Sequence, residues 1–329
     1  MFLEQGNKGR NEIGRWVAMI IIVVIVSQIV GAIPLQILIS SKLSENPDLH
    51  PNPENFLDLA AYEIDPLTGF ALMMIPFILG LFSLLILIKP IHGRSVRSLL
   101  TGNKDFRWKR FFWAAGIWFL LMAIYSIFAT LSGYQNIKLQ FDPKTLLILT
   151  GLSVLLLPLQ TGFEEVFFRG YLMQGFSRIL KFRWMPLLAT SIIFGGLHIF
   201  NPEVKEFGLF ISLSQYVWFG IIFGICVLMD DGIELAWGVH AMNNIFLAVF
   251  FTQDSSALQT PALFRITAFN PLLDLIAFLI LSTLFIYLAR TKFKWAKWTI
   301  LLEKIEHKIT QEEDYLPYPE DEYVEDDDK

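Results

Sequence analysis

The stretch TGFEEVFFRGYL, residues 161–172, sets two adjacent glutamates and an arginine among residues otherwise suited to lipid. The rest of the chain decides whether it lies in a membrane. Of its 329 residues 54% are apolar and only 17% charged, against roughly 45–50% and about 25% in an average soluble domain. A helical span needs about 20 apolar residues. Eight segments are candidates: 16–39, 69–88, 111–132, 146–173, 185–200, 207–229, 233–251 and 270–289. The expected fold is therefore all-α, a polytopic membrane helix bundle with about eight transmembrane helices. Its surroundings are membrane lipid, and nucleic acid is not an expected partner. The first span follows NKGRNEIGR without a small-residue cleavage pattern, so it reads as a retained helix. Cys226 is the single cysteine, which excludes an internal disulfide.

Lys and Arg collect in short cytoplasmic loops. Residues 89–110 hold seven of them, whereas residues 41–67 hold Lys42 beside six acids. Arg178, Lys181 and Arg183, then Arg290, Lys292, Lys294 and Lys297, continue the bias, so both termini are expected in the cytoplasm and the membrane is expected to be the plasma (inner) membrane. One turn resists this: DDGIE, residues 230–234, is predicted inside yet has no basic residue. The net charge of −5 hides an asymmetry, because residues 310–329 hold ten acids and one lysine, leaving 25 basic against 21 acidic residues in the remainder. Such a tail is expected to be solvated and disordered. The chain divides into three N-terminal helices with a basic loop (1–144), a core of four helices (145–252), an eighth helix with its flanks (253–298) and the acidic tail (299–329). The Pro-rich stretch 46–66 is expected to be an external loop with a short amphipathic piece.

Ionisable residues inside the spans are few: Glu164, Glu165 and Arg169 in the fourth, His198 in the fifth, His240 in the seventh, and Asp274 near one end of the eighth. Each mid-membrane charge costs at least about 2.5–3.5 kcal/mol on insertion scales, so such residues usually face a protein interior or a water cavity. Adjacent helical residues point about 100° apart, so Glu164 and Glu165 are not expected to act on one partner. Glu165 and Arg169, at i and i+4, can pair, and His240 and Asn244 share a face in the same way. Glu164 and His198 are each 17 residues from Lys181, hence at similar depth on antiparallel helices. The glycines of FGGLH permit close backbone approach beside His198. Singly, a Glu/Arg pair is as readily a clamp, and a His or Asn as readily a bond between helices.

EEVFFR (Glu164, Glu165, Arg169), FGGLH (Phe194 to His198) and HAMNN (His240 to Asn244) occur in order on successive polar helices. In this they resemble the EExxxR, FxxxH and HxxxN motifs of the CPBP family, the CAAX-protease and bacteriocin-processing (Abi) membrane proteases, over roughly residues 145–252. The resemblance implies a glutamate-dependent endopeptidase within the membrane, often described as a metalloprotease.

The residues suit that chemistry. Burial raises the basicity of a carboxylate, so Glu164 can take a proton from an attacking water, with His198 orienting the same water. His240 and Asn244 can donate to the tetrahedral oxyanion, while Glu165 and Arg169 support them. No cofactor is then required. In the alternative, Glu164, His198 and His240 hold a catalytic zinc with an open water position, although the chain has no HExxH. The expected substrate is a membrane-associated peptide or protein. A catalytically silent scaffold that binds another membrane protein is the competing reading. Counting from Glu234, the site is expected about one third of the way in from the cytoplasm and open to that side, with residues 175–186 lying at the interface, Arg178, Lys181 and Arg183 at the headgroups.

Overall fold

A computed structural model describes residues 1–49, 51 and 58–306. Eight helices carry the architecture: α1 (Ile13–Glu45), α2 (Pro66–His92), α3 (Trp108–Leu131), α4 (Pro143–Ser177), α5 (Trp184–Leu197), α6 (Leu209–Asp230), α7 (Glu234–Phe250) and α8 (Pro271–Phe293). All eight expected segments are helical, but among the described residues only six helices are long and apolar enough to cross a membrane. Helices α5 and α7 have 14 and 17 residues. At ~1.5 Å per residue they rise about 21 and 25 Å, short of the ~30 Å hydrocarbon core. Neighbours enclose α7, which packs against α3 and α4, whereas α5 packs on α6 by one face and leaves Leu188, Ile192 and Leu197 exposed. A Cβ on Gly238 of α7 would come within 2.3 Å of the Phe111 carbonyl oxygen of α3, so only glycine lets those backbones approach so closely. The chain is an integral, multi-pass membrane protein.

The sequence sets direction as well as helicity. Helices α2, α4 and α8 each begin with an Asx-Pro pair: Asp65, Asp142 and Asn270 accept hydrogen bonds from the backbone N–H groups of the first turn, and proline follows. Helices α2, α6 and α8 stop at residues in the left-handed region, Gly93, Asp231 and Lys294. At the starting end lies a small sheet that the all-α reading did not foresee, β1 (Asn136–Leu139), β2 (Phe251–Thr252) and β3 (Phe264–Ala268), in the order β1-β3-β2. The β1 pairing with β3 is antiparallel and the β2 pairing parallel. The loop before α2 contributes a 3-10 turn, Leu59–Tyr62, whose Leu59 and Tyr62 are buried with Ile64 beside Leu35, Leu38, Ile39 and Met73.

The other end is where the basic loops meet, and it explains DDGIE. Arg107 donates from Nε and Nη2 to both Glu234 carboxylate oxygens at 2.9 and 2.7 Å, and Arg110 bonds Asp230. The turn needs no basic residue of its own because the start of α3 supplies two, Arg107 at its N-cap and Arg110 in its first turn. Burial works against the Arg107 charge, but its bond to Glu234 and the charges of Asp230 and Glu234 outweigh that and raise its pKa above the usual arginine value. Both described ends of the chain pack here too. Arg183 donates to Glu4 at 2.6 Å, its backbone N–H to the Glu303 carbonyl, and the Ile305 N–H to the Lys181 carbonyl.

Two expectations are corrected at this end. Arg178 and Arg183 are not spread at headgroups: Arg183 is buried and Arg178 bonds the Asn11 carbonyl, because residues 1–11 fold over that turn. Residues 299–306 are not part of a disordered tail, since the 3-10 turn Trp298–Leu302 leads to a buried Ile305 and Lys304 bridges to Phe182. The acidic stretch 310–329 lies outside the described residues.

Candidate active site

Helix α4 is α-helical as far as Glu165 and widens into a π-helix from Val166 to Leu172. Single π turns inside α-helices are frequent at functional sites. Here the change of winding falls between Glu165 and Arg169, and Arg169 Nη1 still donates to Glu165 Oε1 at 3.0 Å. Both side chains are out of solvent, at 0% and 1% exposure. The guanidinium also lies over the rings of Phe194 and Phe223, 4.9 and 5.2 Å from their centroids, which suits a desolvated cation.

His240 joins the two glutamates. Its Nδ1 is 2.7 Å from Glu165 Oε1 and its Nε2 is 3.3 Å from Glu164 Oε2. The two carboxylates do point different ways, yet they meet one partner, because an imidazole offers a nitrogen on each side of its ring. The His240 ring stacks on Phe223 at 5.0 Å, which fixes its plane. Three formal charges (Glu164, Glu165 and Arg169) sum to −1 unless a proton is shared between Glu164 and His240.

Asn244 makes no bond to His240. Its Nδ2 donates to Gln160 Oε1 at 2.9 Å, and Gln160 Nε2 donates to Glu164 Oε1 at 2.8 Å. Behind it, Asn243 Nδ2 donates to Asn244 Oδ1 at 3.1 Å, and Trp118 Nε1 of α3 donates to Asn243 Oδ1 at 3.3 Å. Gln160, Asn243 and Trp118 were not singled out by the sequence reading. The i, i+4 spacing that picks out Glu165 and Arg169 applies equally to Gln160 and Glu164, so that one was within reach.

His198 stands apart from this network. It follows the last residue of α5, where Gly195 lets Val217 approach within 2.5 Å of a would-be Cβ, while Gly196 faces open space. Its Nδ1 donates to the Phe194 carbonyl at 2.7 Å, and its ring stacks on Tyr216 at 4.2 Å. In the neutral ring Nε2 is then the acceptor. Both histidines pack against the Phe194 ring, His198 at 4.6 Å and His240 at 6.2 Å, without a hydrogen bond between them or from His198 to Glu164. Among the described residues no group of three or more His, Cys, Asp or Glu side chains is placed to hold a metal ion. Glu164, His198 and His240 are not gathered as a three-ligand set, because His198 stands apart from the Glu164–His240 pair. His198 and Asn244 are partly exposed, whereas Glu165 and His240 are buried.

Residues 142–246 match the family described as type II CAAX prenyl endopeptidase Rce1-like. The uncharacterized protein YyaK of Bacillus subtilis (strain 168) is 31% identical over 227 residues, covering 67% of this chain and 75% of that protein. No solved structure matches the chain. With the EExxxR, FxxxH and HxxxN residues in order on α4, α5 and α7, the chain belongs to the CPBP family of membrane proteins, in its Rce1-like group.

Proposed function

We propose that the chain is an intramembrane endopeptidase that hydrolyses a peptide bond of a membrane-associated protein or peptide. Membership of a CAAX-type protease family supports the reaction class. The observation that carries the assignment of residues is the buried bridge Glu164–His240–Glu165, backed by Arg169. Glu165 holds the Nδ1 proton of His240 and so fixes the ring. With a second proton on Nε2, His240 is an imidazolium that leaves Glu164 ionised. Glu164 then takes a proton from water as the oxygen attacks the carbonyl carbon. The carbonyl π electrons move to oxygen, and the oxyanion is met by His240 Nε2–H and the Asn244 amide. On collapse the C–N bond breaks and the proton held by Glu164 passes to the departing amine. His198, with Nε2 as acceptor, is placed to orient a water from the partly exposed side. No step passes through a metal.

By the distribution of Lys and Arg the end carrying residues 1–11 and 294–306 faces the cytoplasm of the plasma membrane. Residues 97–100 and both terminal segments cover that end, so access runs past the partly exposed His198 and Asn244 rather than through it. The test is comparative proteomics of membranes holding equal amounts of the wild-type chain or Glu164→Gln. A cleavage product that disappears with the variant supports the proposal; identical peptide sets would favour the scaffold reading.

A further inference from the structure

The line Trp118, Asn243, Asn244, Gln160, Glu164 has groups of fixed role at both ends. An indole N–H only donates, and an ionised carboxylate only accepts. Each amide between them has a donating and an accepting end, so the two termini set the direction of the whole line. Trp118 turns the Asn243 carbonyl toward itself, which turns the Asn243 nitrogen to Asn244; the Asn244 nitrogen faces Gln160, and the Gln160 nitrogen faces Glu164. Every N–H in the line points toward the carboxylate.

We propose that Gln160 is a positioning residue for hydrolysis, holding the base and an oxyanion donor in register through the two ends of one amide. This rests on the reading of Glu164 and Asn244 given above. Gln160 is 6% exposed and one helical turn before Glu164, on the regular part of α4 ahead of the π segment, so its reach is fixed by the helix. Its carbonyl takes one of the two Asn244 amide hydrogens and leaves the other for substrate. Without it Asn244 can rotate and offer its carbonyl oxygen to the developing oxyanion, which repels instead of stabilising. Trp118, on a helix outside the three motifs, fixes the direction from the far end.

The experiment measures the rate of the Glu164-dependent cleavage at several substrate levels in membranes, per folded molecule, for Gln160→Leu, Trp118→Phe, Asn244→Ala and the double variant Gln160→Leu/Asn244→Ala. Gln160→Leu is expected to lower turnover roughly 10- to 100-fold with half-saturation unchanged within about twofold. Trp118→Phe, which leaves Gln160 in place, should lower turnover by a smaller factor. The double variant should lose less than the product of the two single losses, because both break one unit. If Gln160→Leu does not fold, the Trp118→Phe result and its non-additivity with Asn244→Ala, read from the double variant Trp118→Phe/Asn244→Ala, decide instead. A role in packing alone would lower thermal stability and leave turnover per folded molecule unchanged for both Gln160→Leu and Trp118→Phe; that result overturns the inference while Glu164→Gln remains inactive. Full activity of Glu164→Gln, or no cleavage by the wild-type chain, removes the underlying reading and the inference with it.

Discussion

At the basic end of the bundle two carboxylates, Asp230 and Glu234, meet two guanidinium groups, Arg107 and Arg110, and Asp230 also accepts from Trp295 Nε1 at 2.8 Å. In the candidate site there is one guanidinium for two carboxylates: Arg169 pairs with Glu165, and His240 stands between Glu165 and Glu164. Both clusters join helices, and the carboxylates of both are buried. The end cluster matches each carboxylate with a guanidinium. The inner cluster has one guanidinium for its two carboxylates, and His240 stands 3.3 Å from Glu164. Glu165 Oε2 and Arg169 Nε, moreover, have no hydrogen-bond partner among the described residues. On the reading proposed above, this incomplete neutralisation is what fits the inner cluster to acid–base chemistry and the end cluster to holding the fold.

The largest effect expected from this contrast is on activity. Glu164→Gln should abolish the general base, a loss of about 10²- to 10⁴-fold in cleavage rate, with little change in thermal stability because Gln can still accept from Gln160 and face His240. The check pairs a product assay with a melting curve. Loss of stability equal to that of an end-cluster variant would show that the two clusters do not differ as argued.

The end cluster should behave in the opposite way. Arg107→Met removes the bidentate partner of Glu234, which has no solvent exposure, and leaves Asp230 to Arg110 alone. Breaking a buried pair costs about 3–5 kcal/mol; with Arg107 partly solvated and Arg110 remaining, about 3 kcal/mol is expected. Cleavage per folded molecule should be kept. Denaturant unfolding in mixed micelles, alongside activity normalised to folded protein, measures both. Trp295→Phe is the milder cut, because it takes a neutral donor from Asp230 while both arginines stay; about 1.5–3 kcal/mol is the upper range for such a bond.

The contrast also marks what was legible in the sequence. Glu165 and Arg169 pair as their spacing requires, since i, i+4 neighbours on one helix are a local matter. Helix starts at Asp65, Asp142 and Asn270 are likewise local, each an Asx-Pro pair. What sequence spacing could not show was His240 reaching both glutamates from 75 and 76 positions away, or Trp118 of α3 entering the network, since these depend on packing between helices. The DDGIE turn failed a rule that counts charges loop by loop, because its cations arrive from the start of α3. The count of eight spans is not confirmed for a related reason: composition marks α5 and α7 as apolar, but apolar composition alone does not fix whether a helix of 14 or 17 residues crosses the bilayer.

A partly buried acid outside both clusters sharpens the comparison with the smallest effect. Glu203 lies in the short helix Pro202–Phe207 between α5 and α6; its Oε1 accepts from the Ala257 N–H at 2.8 Å, and its Oε2 has no hydrogen-bond partner among the described residues. Burial raises its pKa above the ordinary glutamate value, and the Ala257 bond only partly opposes this. Among the described residues no cation pairs with it as Arg107 does with Glu234, and no histidine contacts it as His240 does Glu164. The sign follows from linkage. A carboxyl group with a raised folded-state pKa binds its proton more tightly when folded. Its contribution is then most favourable below the unfolded pKa and is lost as pH rises through the folded value. Glu203→Gln keeps the oxygen that accepts from Ala257 and removes the charge. The variant should therefore melt slightly above the wild-type chain at pH 7 and no higher than it near pH 4. Melting curves at the two pH values test this, and a variant less stable at pH 7 would mean that Glu203 has an ionic partner and belongs with the end cluster.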